Sequence, residues 1–517
     1  MRARAAVGPE SAGTESADAD RFTRLDLVLV LGLGLFALRL YQGSAPGVVN
    51  LDGLGYVKLL PHNFAAGHLL YMPLLRMTTA LCHGQGLDAG RLVSAAAAAV
   101  AVSLFYRAAR VLLARPPALV GAAGLIVSYA VWVQGSDVEA YACALAAELG
   151  VLSLALAYRA APGLLRAFSL GLALAGAVLF HLTHVLLTPF VVLWAVTHAA
   201  TWRRGLRDGV FAACVGGSVT LSGYAWACFG VRHLDLQGAI KWVGTAGHGF
   251  RYEGNFLWRM ADATYGLARS YVWSPYLYES NAQKLIAHFL LGLAPLILVG
   301  VALTTRRAAL ARLPWRLFVV WMAPYAAMAL LFFGSDHERW VFVLPALWLL
   351  TAGALGSDPR GLRWGAALVA YLALTNAATA IGPARTEVWD RTRADVATAL
   401  MRDDDLVLFP GHSWDEYIGF YTGTRIIPFP LSYYAGRDGK DSMIARLDRE
   451  VKKARARGAH VYAVRLYDDK DDVRGFYELD TLGLPRPALL ELLARFEAVP
   501  LATTEPKVTV WRLDDKL

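Results

Sequence analysis

The segment Asn50-Leu-Asp-Gly-Leu-Gly-Tyr56, continuing into Pro61-His62-Asn63-Phe64, stands just beyond the first long apolar run of the chain, which ends near Gln42. It interrupts the hydrophobic pattern with an acid, two glycines and a histidine, and its meaning depends on what flanks it. Outward from it, apolar runs of roughly 17 to 25 residues, enough to cross about 30 Å of hydrocarbon, recur from Leu25 to Ile381. They fall near residues 25–42, 89–113, 117–134, 138–157, 166–180, 182–200, 209–230, 284–303, 315–333, 339–355 and 362–382. Of 517 residues, 56% are hydrophobic and 18% charged, and the mean hydropathy is +0.41, too apolar for a soluble enzyme of this length. The expected fold is an α-helical polytopic membrane protein with about eleven transmembrane helices.

Arginine placement predicts the orientation, because Lys and Arg flanking spans are retained on the cytoplasmic side. Arg21 and Arg24 precede the first run and put the N-terminus inside. Alternate loops should then be basic, and they carry Arg107, Arg110 and Arg115, then Arg159 and Arg166, then Arg203, Arg204 and Arg207, then Arg306, Arg307, Arg312 and Arg316, then Arg360 and Arg363. The intervening short loops, near residues 135–140, 180–184 and 334–339, carry acids and histidines and are expected to face out, on the side of Asp52. The formal charge of +9 is spread over loop ends, with no basic stripe of interleaved aromatics, so it reports topology and excludes a nucleic-acid partner. Cys82, Cys143, Cys214 and Cys228 lie in or beside apolar segments and imply neither a disulfide nor a metal framework.

Residues 1–24 read as a disordered cytoplasmic N-terminus, rich in Ala, Ser, Gly and acids as far as Asp20. Gly43-Ser-Ala45 loosely resembles a signal-cleavage site, and either outcome leaves Asp52 outside. The membrane domain is expected to span 25–383, with outer loops at 43–88 and 231–283. The second loop is dense in aromatics (Trp242, Tyr252, Phe256, Trp258, Tyr265, Tyr271, Trp273, Tyr276, Tyr278), which suits helices lying in the headgroup layer or a lid over a lipid-linked substrate. From 384 to 517 the chain alternates strand-like runs, at 406–409, 425–429, 460–464 and 508–511, with helix-like runs at 441–457 and 487–496. This reads as a small extracytoplasmic α/β domain.

Polar residues can now be sorted by side. Asp52, His62 and His68 lie in the first outer loop. Asp137, Glu139 and Tyr141 open the second, His181, Thr183 and His184 the third, and Asp336, His337, Glu338 and Arg339 another. Ionisable groups at span ends are costly unless they pair or face water, so a set on one face suggests a shared cavity. Each also has a plainer reading. Asp137 and Glu139 fit a solvated turn. His181 and His184 have the spacing of a metal pair but lack a third ligand, which favours structural histidines or donors to a phosphate. Asp336 to Arg339 is either self-neutralising or an anion site built on the planar Arg339 fork.

The order of these features, with His62-Asn-Phe-Ala-Ala-Gly67-His-Leu-Leu-Tyr71-Met-Pro73 following Asp52, resembles the GT-C superfamily of integral membrane glycosyltransferases. It is most similar to the bacterial DUF2723 and protein O-mannosyltransferase-like branch. In that branch the loop reads Asp-x-Gly-Glu before a His-Pro-Pro-Gly-Tyr-Pro-Leu-Tyr-like segment, and here Asp52, His62, Gly67 and Tyr71 take the matching positions. Val131-Trp132-Val-Gln134 to Glu139-Ala-Tyr141 resembles its Trp/Gln-to-Glu-Val-Tyr passage. His337-Glu-Arg339 before Trp340 and Pro345 resembles its late Glu-Arg-Tyr motif. The chain departs from the pattern in lacking a second acid shortly after Asp52 and in placing Asn63 and Phe64 where the two prolines stand.

The resemblance implies transfer of a sugar, mannose or another hexose or pentose, from a polyprenyl-phosphate donor to an acceptor hydroxyl on a protein, glycan or lipid, with inversion. Asp52 would be the catalytic base, and Arg339 with His337 or His184 would clamp the leaving lipid phosphate. His62, Tyr71, Asp137, Glu139, Tyr141, His181 and Glu338 would complete the substrate site. No cofactor is required on this reading, although a divalent cation is compatible with it. The setting would be the inner (plasma) membrane. A transporter or lipid flippase is the alternative, predicting polar groups near the bilayer midplane and inverted halves. A catalytically silent scaffold that keeps the fold is a third.

Overall fold

The computed structural model describes residues 22–60, 64–244, 255–273, 281–306, 310–311, 313–332, 334–386, 400–410, 420, 425–464, 466–467, 479–480, 482–504 and 508–515. The N-terminal stretch to Asp20, Arg21, His62, Tyr252, Tyr276, Tyr278, Arg307 and Arg312 lie outside the described residues. The chain divides into two units, Met1–Arg385 and Thr386–Leu517.

Among the described residues, the named elements of the first unit are all helices. Its elements are α1 (Arg24–Gly43), α2 (Leu51–Leu59), α3 (Tyr71–Leu81), α4 (Gly86–Leu112), α5 (Arg115–Val127), α6 (Tyr129–Ser136), α7 (Ala140–Ala160), α8 (Leu164–Phe180), α9 (Thr188–His198), α10 (Trp202–Ala225), α11 (Leu236–Gly244), α12 (Phe256–Tyr271), α13 (Asn281–Thr305), α14 (Trp315–Leu331), α15 (Leu344–Leu355), α16 (Pro359–Asn376) and α17 (Gly382–Thr386). Among the described residues five helices are long and apolar enough to cross a membrane, and α5 with α6 makes a sixth if the bent pair is one span. Five shorter apolar helices accompany them. Each apolar run of the sequence falls on one of these helices, except the run at 117–134, which falls on the α5–α6 pair. The described part of the loop expected at 43–88 contains the short helices α2 and α3.

Polar groups fix the helix ends. Thr23 and Asp26 form a capping box at the start of α1. The buried Asp26 carboxylate also accepts from Arg110 Nε (2.8 Å), Arg115 Nε (3.0 Å) and Tyr106 Oη (3.1 Å), tying α1 to α4 and α5. Small residues let helices approach closely: a Cβ on Gly34 would collide with Ser103 of α4, and one on Gly124 would enter the Trp348 ring.

The expected span at 117–134 is broken at Ser128, where α5 and α6 meet at 59°. A break inside a bilayer frees backbone carbonyls that must find donors. Tyr41 Oη donates to Ile126 O (3.1 Å) and Asn376 Nδ2 to Val127 O (2.9 Å), while Ser128 Oγ closes on Gly124 O (2.8 Å) and accepts from Trp348 Nε1 (2.9 Å). The bend therefore leaves these carbonyls satisfied, and it aims α6 toward Asp137.

The second unit holds a five-stranded sheet in the order β2-β1-β3-β5-β4, from β1 (Leu406–Phe409), β2 (Ile427–Pro430), β3 (Val461–Val464), β4 (Phe496–Thr504) and β5 (Val508–Asp515). β1 runs parallel to β2 and β3; β5 is antiparallel to β3 and β4. Helices α18 (Leu431–Asp438), α19 (Lys440–Ala456) and α20 (Arg486–Leu493) cover a core that includes Leu408, Leu447, Val451 and Leu489. The helix expected at 487–496 ends at Leu493 with Phe496 already in β4, and β4 itself was hidden because Pro500 disguises a strand. The structure accommodates Pro500 on an edge strand, at a register shift between Pro500 and Ala502.

Candidate functional site

The site is assembled where α2 docks on the α6–α7 turn. Asn50 caps α2 by accepting from Gly53 N (2.6 Å), its own backbone N–H donates to Asp137 Oδ2 (2.9 Å), and its side-chain amide donates to Glu139 Oε1. A Cβ on Gly53 would stand 2.6 Å from Val138 O, so only glycine permits this approach. Ser94 of α4 fixes the same turn, accepting from Glu139 N (3.0 Å) and donating to Glu139 O (3.1 Å). The first turn of α2 thereby carries Asp52 to the buried Glu139.

The third component is a short 3₁₀ turn, His337–Trp340, capped by Asp336 Oδ1 accepting from Glu338 N (3.1 Å). It is held from α12: Asp262 Oδ2 accepts from Ser335 N (2.9 Å), and Arg269 Nη1 donates to Ser335 O (2.9 Å). Gly266 lies so close to the Gly334 carbonyl that any side chain would collide with it. Gln134 of α6 reaches Glu338 Oε1 at 3.4 Å. Among the described residues, one carboxylate oxygen each from Asp52, Glu139 and Glu338 lie within 4.8 Å of one another. Asp52 is exposed, Glu139 is buried, and Glu139 Oε2 has no hydrogen-bond partner.

Charge follows from this packing. Burial, reinforced by neighbouring carboxylates, pushes both Glu139 and Glu338 above the ordinary glutamate range. Burial also pushes Asp137 up to about 6, against the lowering effect of the N–H groups of Val138 and Asn50. His337 is pushed down to about 4 by burial, so it is neutral at pH 7 despite Asp336 Oδ1 at 3.7 Å from its Nδ1.

Cations stand beside the acids. Arg339 Nη1 donates to Tyr141 Oη (3.4 Å), and its Nε lies 3.6 Å from Asp336 Oδ2. Arg269 lies 3.6 Å above the Trp273 ring. The Nε atoms of both arginines are buried without a hydrogen-bond partner, which leaves donor capacity for a phosphate or carboxylate.

Behind the acids is a wall of rings. His68 packs edge-on to His181 (4.7 Å) and against Tyr56 (5.7 Å), His181 against Tyr141 (4.8 Å), and Tyr56 against Tyr71 (5.0 Å). Tyr71 Oη is buried without a partner. His181 Nδ1 accepts from Thr183 N (3.3 Å). His184 donates from Nε2 to Ala144 O (3.1 Å) and accepts at Nδ1 from Tyr325 Oη (2.6 Å), because a carbonyl only accepts. With both nitrogens engaged inside the protein, His184 is a structural histidine, and the His181–His184 spacing does not make a metal pair.

Asp52, Glu139, Tyr141, Glu338 and Arg339 thus converge, with Asp137, His337, Tyr71 and His181 in contact with this set or directly behind it. Sequence reasoning missed Ser94 and Arg269, and it quoted Asn50 and Gln134 without giving either a place in the site. It also missed Glu148, buried within α7 roughly 13 Å deeper than Glu139 by helical rise and accepting from Trp321 Nε1 at 2.8 Å. A lone acid inside an apolar run was the available signal.

No family model and no curated protein matches the chain. Solved structures do. ArnT from Cupriavidus metallidurans in the apo state is 14% identical with a TM-score of 0.59, over 94% of this chain and 97% of that one. The same protein bound to undecaprenyl phosphate gives 13% and 0.58, with the same coverage. The archaeal oligosaccharyltransferase AglB from Archaeoglobus fulgidus, in complex with an inhibitory peptide and a dolichol-phosphate, gives 10% and 0.53, over 95% of this chain and 74% of that one. Both proteins are GT-C superfamily glycosyltransferases, and the fold of this chain is the GT-C fold.

Proposed function

We propose that the protein is a glycosyltransferase that moves a sugar, a hexose or pentose such as mannose, from a polyprenyl-phosphate donor to an acceptor hydroxyl on a protein, glycan or lipid. The observation that carries this reading is the convergence of Asp52, Glu139 and Glu338 beside two arginines with unused donors. The structures of ArnT with undecaprenyl phosphate and of AglB with a dolichol-phosphate support the donor class. Asp52, His62, Gly67 and Tyr71 support kinship with the DUF2723 and O-mannosyltransferase-like branch. The proposed setting is the plasma membrane, crossed eleven times, with the N-terminus cytoplasmic and Asp52 outside.

Asp52 is the base. It is the exposed carboxylate of the three, open to an incoming hydroxyl, and its neighbours Glu139 and Glu338 are the ones burial pushes toward protonation. As the acceptor oxygen attacks the anomeric carbon, its proton passes to Asp52. The bond from that carbon to the phosphate oxygen breaks on the opposite face, which inverts the anomeric centre. The electron pair stays on the phosphate, where Arg339 and Arg269 offer N–H groups to the growing charge. His337, neutral at pH 7, can add a hydrogen bond there but no charge. The His68, His181 and Tyr141 rings present an apolar, hydrogen-bonding wall suited to the face of a sugar.

The three carboxylates also fit a divalent cation. All donors are hard oxygens, and Glu139 Oε2 is a buried acceptor without a partner. When bound, such an ion would neutralise the clustered acids and draw charge from a donor phosphate oxygen. Asp52, Glu139 and Glu338 would hold it, whichever Asp52 oxygen receives the proton. The expected result is that Mn²⁺ or Mg²⁺ at about 100 times its Kd stabilises chelator-washed protein by roughly 2.7 kcal/mol in thermal unfolding. Glu139→Gln should lose most of that gain. Identical unfolding of wild-type protein with and without ion would remove the cation from this account.

A further inference from the structure

At the opposite, arginine-rich end of the bundle, α4 and α7 part to leave a groove of about 200 Å³. Arg107 and Val111 form one wall and Ser153, Leu156 and Ala160 the other, at helical spacings that put them on facing stripes. The groove offers little to a polar ligand, because the Ser153 hydroxyl already donates to Leu149 O (2.8 Å) within its own helix. Val111 is 53% exposed, so the groove opens sideways, onto a face that a bilayer around α4 and α7 would cover.

Among the described residues, most arginines near this groove are engaged within the protein, whereas Arg107, like Arg159 beside Ala160, is not. Arg110 and Arg115 are engaged by Asp26, Arg166 by the carbonyls of Ala157 and Ala161, and Arg306 by Asp358. Arg107 is exposed and has neither hydrogen bond nor ion pair among the described residues. An unpaired cation at the mouth of an apolar groove on such a face has one complementary ligand class: an anion attached to a hydrocarbon chain. We propose that this groove binds an anionic phospholipid of the leaflet at that end, its phosphate on Arg107 and part of one acyl chain between Val111 and Leu156. The site is separate from the carboxylate cluster and uses none of its residues.

The test is native mass spectrometry of the full-length protein, delipidated in mild detergent and exposed to equimolar phosphatidylglycerol and phosphatidylcholine of the same chains. Wild-type protein should retain one phosphatidylglycerol in preference to phosphatidylcholine. Arg107→Ala should weaken that retention by about fivefold, the contribution of one basic residue to an anionic lipid. Arg107→Lys should keep most of it, and Ala160→Trp, which fills the groove, should lower retention with Arg107 intact. Arg363→Ala, on another loop, is the control, and melting temperatures in lipid-free detergent check that each variant is folded. Equal retention of the two lipids by wild-type protein, or equal losses for Arg107→Ala and Arg363→Ala, would overturn the proposal. So would displacement of the phosphatidylglycerol by stoichiometric undecaprenyl phosphate, which would assign the groove to the carrier.

Discussion

Asp52→Asn is expected to lower kcat/KM for sugar transfer by about 10²- to 10⁴-fold, equivalent to roughly 3 to 5 kcal/mol of transition-state stabilisation. The substitution keeps the shape and removes the proton acceptor. It should leave the fold intact, because α2 is capped by Asn50 rather than by Asp52, and the Asp52 side chain is exposed. The measurement is transfer of radiolabelled sugar in proteoliposomes, with thermal unfolding of the same preparation as control. Glu139→Gln is a useful companion. It perturbs the buried partner of Asn50 and should lower both stability and activity, whereas Asp52→Asn should change activity alone. A variant with unaltered kcat/KM would show that the proton leaves by another route.

Arg339→Ala is expected to cost about 10²- to 10³-fold in kcat, the range found when one preorganised donor to a developing anion is removed. Its guanidinium lies beside the carboxylate cluster and is held there by Tyr141 and Asp336 rather than neutralised by a bidentate partner. Arg339→Lys should recover only part of the loss, since an ammonium lacks the planar fork that matches two phosphate oxygens. The loss should fall mainly on kcat, because charge on the phosphate grows as the bond breaks. A loss confined to KM would place Arg339 in ground-state binding of the donor instead. The kinetics of polyprenyl phosphate release, measured for wild type and both variants, separate these outcomes.

The helical body was legible because sustained apolar runs announce helices, the longest of which are long enough to cross hydrocarbon. The break at Ser128 was not. It depends on Tyr41 and Asn376 arriving from distant positions to satisfy the freed carbonyls, and nothing local announces it. In the second unit, β1, β2, β3 and β5 were visible as short β-branched or aromatic runs, whereas β4 was masked by Pro500, which an edge strand tolerates.

The site shows the same division. Asp52, Glu139, Glu338 and Arg339 could be named because acids and arginines are conspicuous at span ends. A shared cavity was expected from their common side, but which of them touch could not be read, because the three acids are separated by whole helices. The acid missing after Asp52 in the loop has two spatial counterparts in Glu139 and Glu338. Arg269 escaped notice because it sits in an amphipathic aromatic helix, where an arginine is ordinary. Its contact with Ser335 places it beside the site.

On the proposed function, this carboxylate and arginine cluster discharges a polyprenyl-phosphate sugar. The most direct measurement follows purified protein in liposomes with polyprenyl-phosphate [¹⁴C]hexose and a membrane extract as acceptor, counting label and freed polyprenyl phosphate together. The two should appear in equal amounts with wild-type protein, and Asp52→Asn and Arg339→Ala should suppress both. Discharge of the donor by either variant at the wild-type rate would contradict the proposed function.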